Sequence, residues 1–190
     1  VRVLGISGSL RRDSLNSALL RAAAERLPAG VELVEFEGLR EIPPYDADLE
    51  AETVPDAVRE LREAIRGADA VLVATPEYNH SIPGVLKNAL DWASRPAGQS
   101  ALNGKPAAAI GASTGMFGAV WAQAETRKVL GALGGRVIET ELPISRADQL
   151  LVDGRLELEP QQSEQLEGLL AELIASAEEA EEARVERVAA

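Results

Sequence analysis

Apolar positions in this chain follow two rhythms. Val1–Ile6 (VRVLGI), Val71–Ala74 (VLVA) and Pro106–Ala112 (PAAAIGA) are short runs with almost no polar interruption. Such runs mark strands buried on both faces. Between them apolar residues recur at three- and four-residue spacing, the period of a helix with one buried face. Leu15, Leu19, Ala22, Ala23 and Leu27 form one such stripe, ended by Pro28-Ala29-Gly30. Val58, Leu61 and Ile65 form a second, started at Thr53, Pro55 and Asp56 and closed by Gly67. Val85, Leu86, Ala89, Leu90 and Ala93 form a third, for which Pro83 suits the first helical position. A fourth helix is predicted from about Ala119 to Leu133, stopped by Gly134-Gly135, and a last one around Leu166, Leu169, Leu170, Leu173 and Ile174. Val31–Phe36 (VELVEF) alternates apolar residues with Glu, as a strand near the sheet margin would, and Arg136–Leu142 (RVIETEL) is the fifth strand.

Five strands alternating with helices predict an α/β fold: one doubly wound parallel sheet, because each parallel crossover needs a helix-length connection. The order 2-1-3-4-5 would put strands one and three side by side at the switch point. The loops after strands one, three and four would then converge on one ligand. Residues 1–175 make the domain. Residues 176–190 are a charged, helix-prone extension that loses the apolar stripe, read as a solvated helix or a frayed tail.

The loop after strand one holds Ser7, Gly8, Ser9, Arg11, Ser14, Asn16 and Ser17 at a helix start. Hydroxyls, backbone N–H groups and one guanidinium suit a terminal phosphate dianion. An ordinary capped helix with a solvated Arg is the plainer alternative. Neither G-x-G-x-x-G spacing nor a Gly-Lys-Ser/Thr ending is present. The loop after strand three offers Glu77, Tyr78 and Asn79 between Pro76 and Pro83, a rigid backbone able to meet the edge of a planar ring or simply to turn. Ser113, Thr114 and Gly115 supply a third approachable segment. His80 is the one histidine, so no His metal cluster or charge-relay pair can form. It belongs to the loop surface or a ligand's edge. Asp46, Asp48 and Glu50 read as a solvated loop face rather than a metal site. Ser7 or Ser9 as a nucleophile lacks a base and the G-x-S-x-G elbow. Trp92 and Trp121 fit core or subunit contacts, with core favoured for Trp92.

Composition narrows the classes. The 190 residues suit one domain, and 3% aromatic content means aliphatic and Ala packing. A complete lack of Cys excludes disulfides, thiolate nucleophiles and Cys-ligated metals. A net charge of −12 argues against nucleic acid and anionic membranes as partners. With no apolar run near membrane-spanning length and no leader pattern, a cytoplasmic protein is expected.

Two motifs carry a resemblance. Gly8-Ser9-Leu10-Arg11 with Ser14-x-Asn16, and Pro76-Glu77-Tyr78-Asn79-x-Ser81-x-Pro83-Gly84-x-Leu86-Lys87-Asn88-Ala89-x-Asp91-Trp92, closely resemble the NADPH-dependent FMN reductase family over residues 1–175. That family is flavodoxin-like and includes quinone, azo-dye and chromate reductases. The resemblance implies that Ser9, Arg11, Ser14, Asn16 and Ser17 hold the FMN phosphate. Pro76, Glu77, Tyr78 and Asn79 would contact the isoalloxazine ring, with Ser113, Thr114 and Gly115 closing the pocket. It implies NADPH or NADH as co-substrate, a small-molecule acceptor (free flavin, quinone, azo compound or chromate), no acid–base side chain, and a homodimer or homotetramer. A passive flavodoxin-type electron carrier and a non-enzymatic regulatory or structural module are the alternatives. One departure stands out: Ala119 and Trp121 occupy places where the family carries Gly and Arg.

Overall fold

The computed structural model describes residues 1–189. Strands β1 (Arg2–Ser7), β2 (Glu32–Glu35), β3 (Ala70–Ala74), β4 (Pro106–Ala112) and β5 (Arg136–Val137) lie in the order β2-β1-β3-β4-β5, all parallel. This is the expected order, with β1 beside β3 in register Val3↔Ala70 to Ser7↔Ala74. Every residue of β3 and β4 is buried, whereas β2 is partly exposed at the sheet margin. Helices α1 (Leu15–Ala24) and α6 (Pro160–Ala189) cover one face of the sheet. Helices α3 (Asp56–Gly67), α4 (Gly84–Ala93) and α5 (Val120–Ala132) cover the other. Leu19, Leu72, Ile110, Leu166, Leu169 and Leu173 knit the first side; Leu61, Ile65, Val73, Leu86, Leu90 and Trp92 knit the second.

The fifth strand differs from the expected Arg136–Leu142. It pairs through Val137, Ile138 N–H still reaches Ala107 O at 2.8 Å, and then the chain leaves the ladder. Pairing resumes at β6 (Pro143–Ile144), beside Gly111 and Ala112. Glu139, Thr140 and Glu141 in the gap are exposed, and both carboxylates turn back to Arg127 of α5.

Two regions have more structure than their sequence announced. The long segment after β2 contains a 3-10 turn (Gly38–Glu41) and a short helix α2 (Ala47–Glu52) capped by Asp46. It is pinned to α4: Trp92 Nε1 and Asn88 Nδ2 both donate to Pro43 O at 2.8 Å, and Asn88 Oδ1 accepts Tyr45 N–H at 2.8 Å. Trp92 is accordingly fully buried, with Tyr45 edge-on at 4.9 Å. Glu50 accepts the Tyr45 hydroxyl at 3.0 Å and faces Arg62. Further on, β7 (Leu151–Val152) and β8 (Arg155–Leu156) form a hairpin over Asp153-Gly154, both left-handed. Asp-Gly suits the tight turn whose twist matches its strands.

Helix α6 runs without a break past position 175, with Ala177 buried and Glu179 paired to Arg136 at 3.1 Å. Residue 190 of the expected extension lies outside the described residues. At the same end of the sheet Lys105 Nζ donates to Arg66 O (3.3 Å) and Ala68 O, serving carbonyls that α3 leaves free at its C-terminus. Burial lowers the pKa of that amine.

Candidate functional site

At the carboxyl end of the sheet β1 gives way to a loop pressed against its neighbours. Gly8 N–H donates to Ala74 O at 2.8 Å, extending the β1–β3 ladder by one bond. A Cβ on Gly8 would sit 3.0 Å from Leu86 and 3.1 Å from Pro76, so only glycine lets the first and third loops meet without displacement. Ser7 Oγ accepts Ser9 N–H (3.5 Å) and Ser9 Oγ accepts Arg11 N–H (3.3 Å), folding the loop on its own hydroxyls. Ser14 is the N-cap of α1: extended, buried, its Oγ accepting Asn16 and Ser17 N–H at 3.2 Å each.

Asn16 spends its side chain differently from the expected phosphate contact. Its Nδ2 donates to Ala112 O at 3.0 Å and its Oδ1 accepts Ala112 N–H at 3.0 Å, both buried. The cause lies in strand lengths. Thr75 N–H still reaches Ile110 O at 2.9 Å, but from Pro76 onward the third loop turns away from β4. Strand β4 outruns its neighbour, and the Asn16 amide stands in for the missing backbone.

The third loop ends in a tight turn. Tyr78 and Ser81 exchange backbone hydrogen bonds (3.0 and 3.1 Å) around Asn79 (φ 53°) and His80 (φ 61°). Two successive left-handed residues define a type I′ turn, which Asn and His enter more readily than most residues but less readily than glycine. Glu77 points from this loop to α5. Its Oε2 accepts Trp121 N–H (3.1 Å) and Ala122 N–H (3.2 Å), and its Oε1 lies 3.7 Å from His80 Nδ1. The fourth loop is held from behind: Ser113 N–H donates to Ile144 O, Ala147 N–H to Ser113 O and Arg146 N–H to Gly115 O. Gly118 (φ 57°) passes so close to Pro143 that a Cβ would lie 2.5 Å from its carbonyl carbon. Buried Gln123 joins the same parts, donating to Gly118 O and accepting Leu142 N–H.

These loops enclose one cleft lined by Ser9, Arg11, Ser14, Leu15, Asn16, Pro76, Glu77, Tyr78, Ala112, Ser113 and Thr114. Nine of the twelve residues singled out from sequence are among them. Ser17 lines an adjoining hollow that it shares with Ser7, Ser9, Arg11, Glu35 and Arg40. Asn79 occupies the turn tip and Gly115 carries on the fourth loop, both outside that lining. Arg11 is exposed, and among the described residues its guanidinium has no hydrogen-bond or carboxylate partner. Arg12, its neighbour, lies outside the cleft. A free cation beside hydroxyls and a helix N-terminus can hold a phosphate dianion. Beyond it, Pro76, Tyr78 and the Ser113–Thr114 backbone present a slot for a planar group. The donor set thus fits FMN.

The sequence profile of NADPH-dependent FMN reductases matches residues 1–149. An NAD(P)H-dependent FMN reductase of Pseudomonas aeruginosa is 54% identical over 132 residues, covering 68% of this chain and 69% of that protein. A quinone reductase of Escherichia coli K12 is 40% identical over 139 residues, 73% of each chain. Among solved structures, the flavoenzyme NAD(P)H:(acceptor) oxidoreductase FerB from Paracoccus denitrificans superposes with a TM-score of 0.81 at 36% identity. That match covers 94% of this chain and 98% of FerB.

Proposed function

The chain belongs to the NADPH-dependent FMN reductase family, and on that premise we propose that it is an NAD(P)H-dependent oxidoreductase acting through FMN on small quinone-type acceptors. When bound, FMN supplies the redox chemistry, accepting a hydride from the reduced nicotinamide and passing two electrons to the acceptor. The observation that carries the proposal is the partnerless Arg11 guanidinium in a cleft walled by three loops of the switch point. Quinone as the acceptor class rests on the names of the relatives, among them a 2-hydroxy-1,4-benzoquinone reductase of a Burkholderia species at 44% identity.

The protein's part is placement. Arg11, the Ser9 hydroxyl and the loop amides hold the phosphate end. Ser14 supports that end indirectly, by capping α1, and Asn16 by tying α1 to the end of β4. Pro76 and Tyr78 border one side of the ring slot, Ser113 and Thr114 the other. Apart from Glu77 no carboxylate or imidazole lines the cleft, and Glu77 is committed to α5. On this reading no side chain need act as general acid or base.

We further propose a cytoplasmic homo-oligomer, at least a dimer, joined through α4 and α5, with Val85 exposed on α4. No helix among the described residues is long and apolar enough to cross a membrane. The deciding experiment is FMN titration of the purified apoprotein, followed by NADPH and NADH oxidation with and without 1,4-benzoquinone. Tight FMN binding with acceptor-dependent nicotinamide oxidation is expected. FMN binding without nicotinamide oxidation would leave a passive electron carrier instead, and a monomer in light scattering at micromolar concentration would refute the assembly.

A further inference from the structure

Helix α5 starts without a cap of its own. Its N-cap position is Ala119, left-handed (φ 62°) and lacking a side-chain acceptor, and its first turn carries no acid. Yet the first turn of a helix leaves its amides unpaired and draws negative charge. The cap comes instead from Glu77, more than forty positions earlier, whose Oε2 takes the Trp121 and Ala122 amides. One turn further along, Ser81 Oγ donates to Glu125 Oε2 at 2.5 Å, a second tie between the same two segments. A third is aromatic. The His80 ring meets Trp121 edge-on at 4.9 Å, and the Phe117 ring also meets Trp121 at 4.9 Å.

Phe117 (55% exposed) and Trp121 (42%) present these rings to solvent. This aromatic wall adjoins the cleft through Glu77, which lines the cleft and caps α5 from the third loop. We infer that Glu77 is a positioning residue: by capping α5 it fixes the His80–Trp121–Phe117 wall against which a planar acceptor stacks, and it governs the Michaelis constant for the acceptor rather than FMN affinity. Both Glu77 bonds to α5 go through one oxygen, and the other oxygen faces His80, so the carboxylate is spent on the protein. The inference rests on the FMN reading of the cleft.

The test uses FMN-loaded protein with 1,4-benzoquinone as probe, and separates KM, kcat and the FMN dissociation constant. Loss of a helix cap corresponds to a factor of about 2–30. Glu77→Ala is expected to raise the benzoquinone KM by about that factor while FMN affinity changes far less. Glu77→Gln keeps an oxygen acceptor at the same reach and should recover most of the loss. Trp121→Ala removes the wall while leaving the backbone amide in place, and keeps the inference testable should Glu77→Ala fold poorly. It should raise the same KM, and combined with Glu77→Gln or Glu77→Ala it should add little, since both act through one element. An FMN affinity weakened as much as KM, without rescue by Gln, would make Glu77 a flavin ligand and overturn the inference. So would an unchanged KM in Glu77→Ala or in Trp121→Ala, or fully additive effects. Failure of the wild-type protein to bind FMN would instead bring down the flavin reading beneath it.

Discussion

Asn16→Ala separates support of the site from contact with its ligand. The Asn16 amide is buried and engages both the N–H and the C=O of Ala112 at 3.0 Å. Removing it leaves two backbone groups without partners at the end of a fully buried strand. An orphaned buried polar group costs about 1–3 kcal/mol, so the pair should cost about 2–6 kcal/mol. For a chain of this size each kcal/mol moves the melting temperature by about 2–4 °C. The assay is urea and thermal unfolding of the apoprotein, where no flavin can contribute, with the urea slope checked against wild type. Asn16→Asp sharpens it. An aspartate keeps an acceptor for Ala112 N–H but sets a second oxygen against Ala112 O, so it should be no better than Ala. If Asn16 acted as a direct phosphate ligand, the apoprotein would keep its stability and only FMN affinity would fall. A loss below about 0.5 kcal/mol, the usual range for surface substitutions, would refute the clip.

Other outcomes follow from single contacts. Arg11→Ala should weaken FMN binding about 10- to 150-fold, the value of one charge-assisted hydrogen bond of about 1.5–3 kcal/mol, with much less effect on turnover at saturating FMN; Arg12→Ala should change neither, and equal small effects at the two would misplace the phosphate site. Burial sets the folded pKa of Lys105 below the ordinary 10.5, so between those two values the unfolded chain holds more protons and stability gains with rising pH. Alkaline unfolding curves of Lys105→Met should lack that gain, and a profile parallel to wild type would contradict it. His80→Gly relieves a left-handed non-glycine at the second turn position and should raise stability by up to about 1 kcal/mol, measured by thermal unfolding; a clear loss would mean that the His80–Trp121 contact outweighs the strain.

Legibility in the sequence followed the range of the interactions. Strands β1, β3 and β4 and helices α1, α3, α4 and α5 are visible because their burial imposes a period on consecutive residues. The fifth strand was legible only in part, because its pairing breaks where Glu139 and Glu141 meet Arg127 on another element. Helix α2 hides among acids that look like loop, and its anchorage depends on Pro43 and Tyr45 meeting α4 across more than forty residues. At the site, residue types located the cleft, while the partner of each side chain stayed invisible. Asn16 reads as a phosphate donor and Glu77 as a ring contact until Ala112 and the start of α5 come into view. A cue existed for the second: a helix starting at Ala119 with neither Ser, Thr, Asp nor Asn at its head must find its cap elsewhere.

Strand β4 carries an implication for how the protein tolerates change over generations. Its centre, Ala107-Ala108-Ala109-Ile110-Gly111-Ala112, is almost all alanine and glycine, wholly enclosed. At Gly111 even one methyl group would approach Ala119, Gln123 and Thr75 O at 3.0 Å. Such a strand has little left to trim and no room to grow, so its damaging substitutions run one way, toward larger residues. Leu61, Leu86 and Leu90 face the opposite hazard, since truncating them opens cavities. Divergence could therefore rework the loops and outer helices freely while the spine of the sheet stayed small, a bottleneck of volume rather than of chemistry.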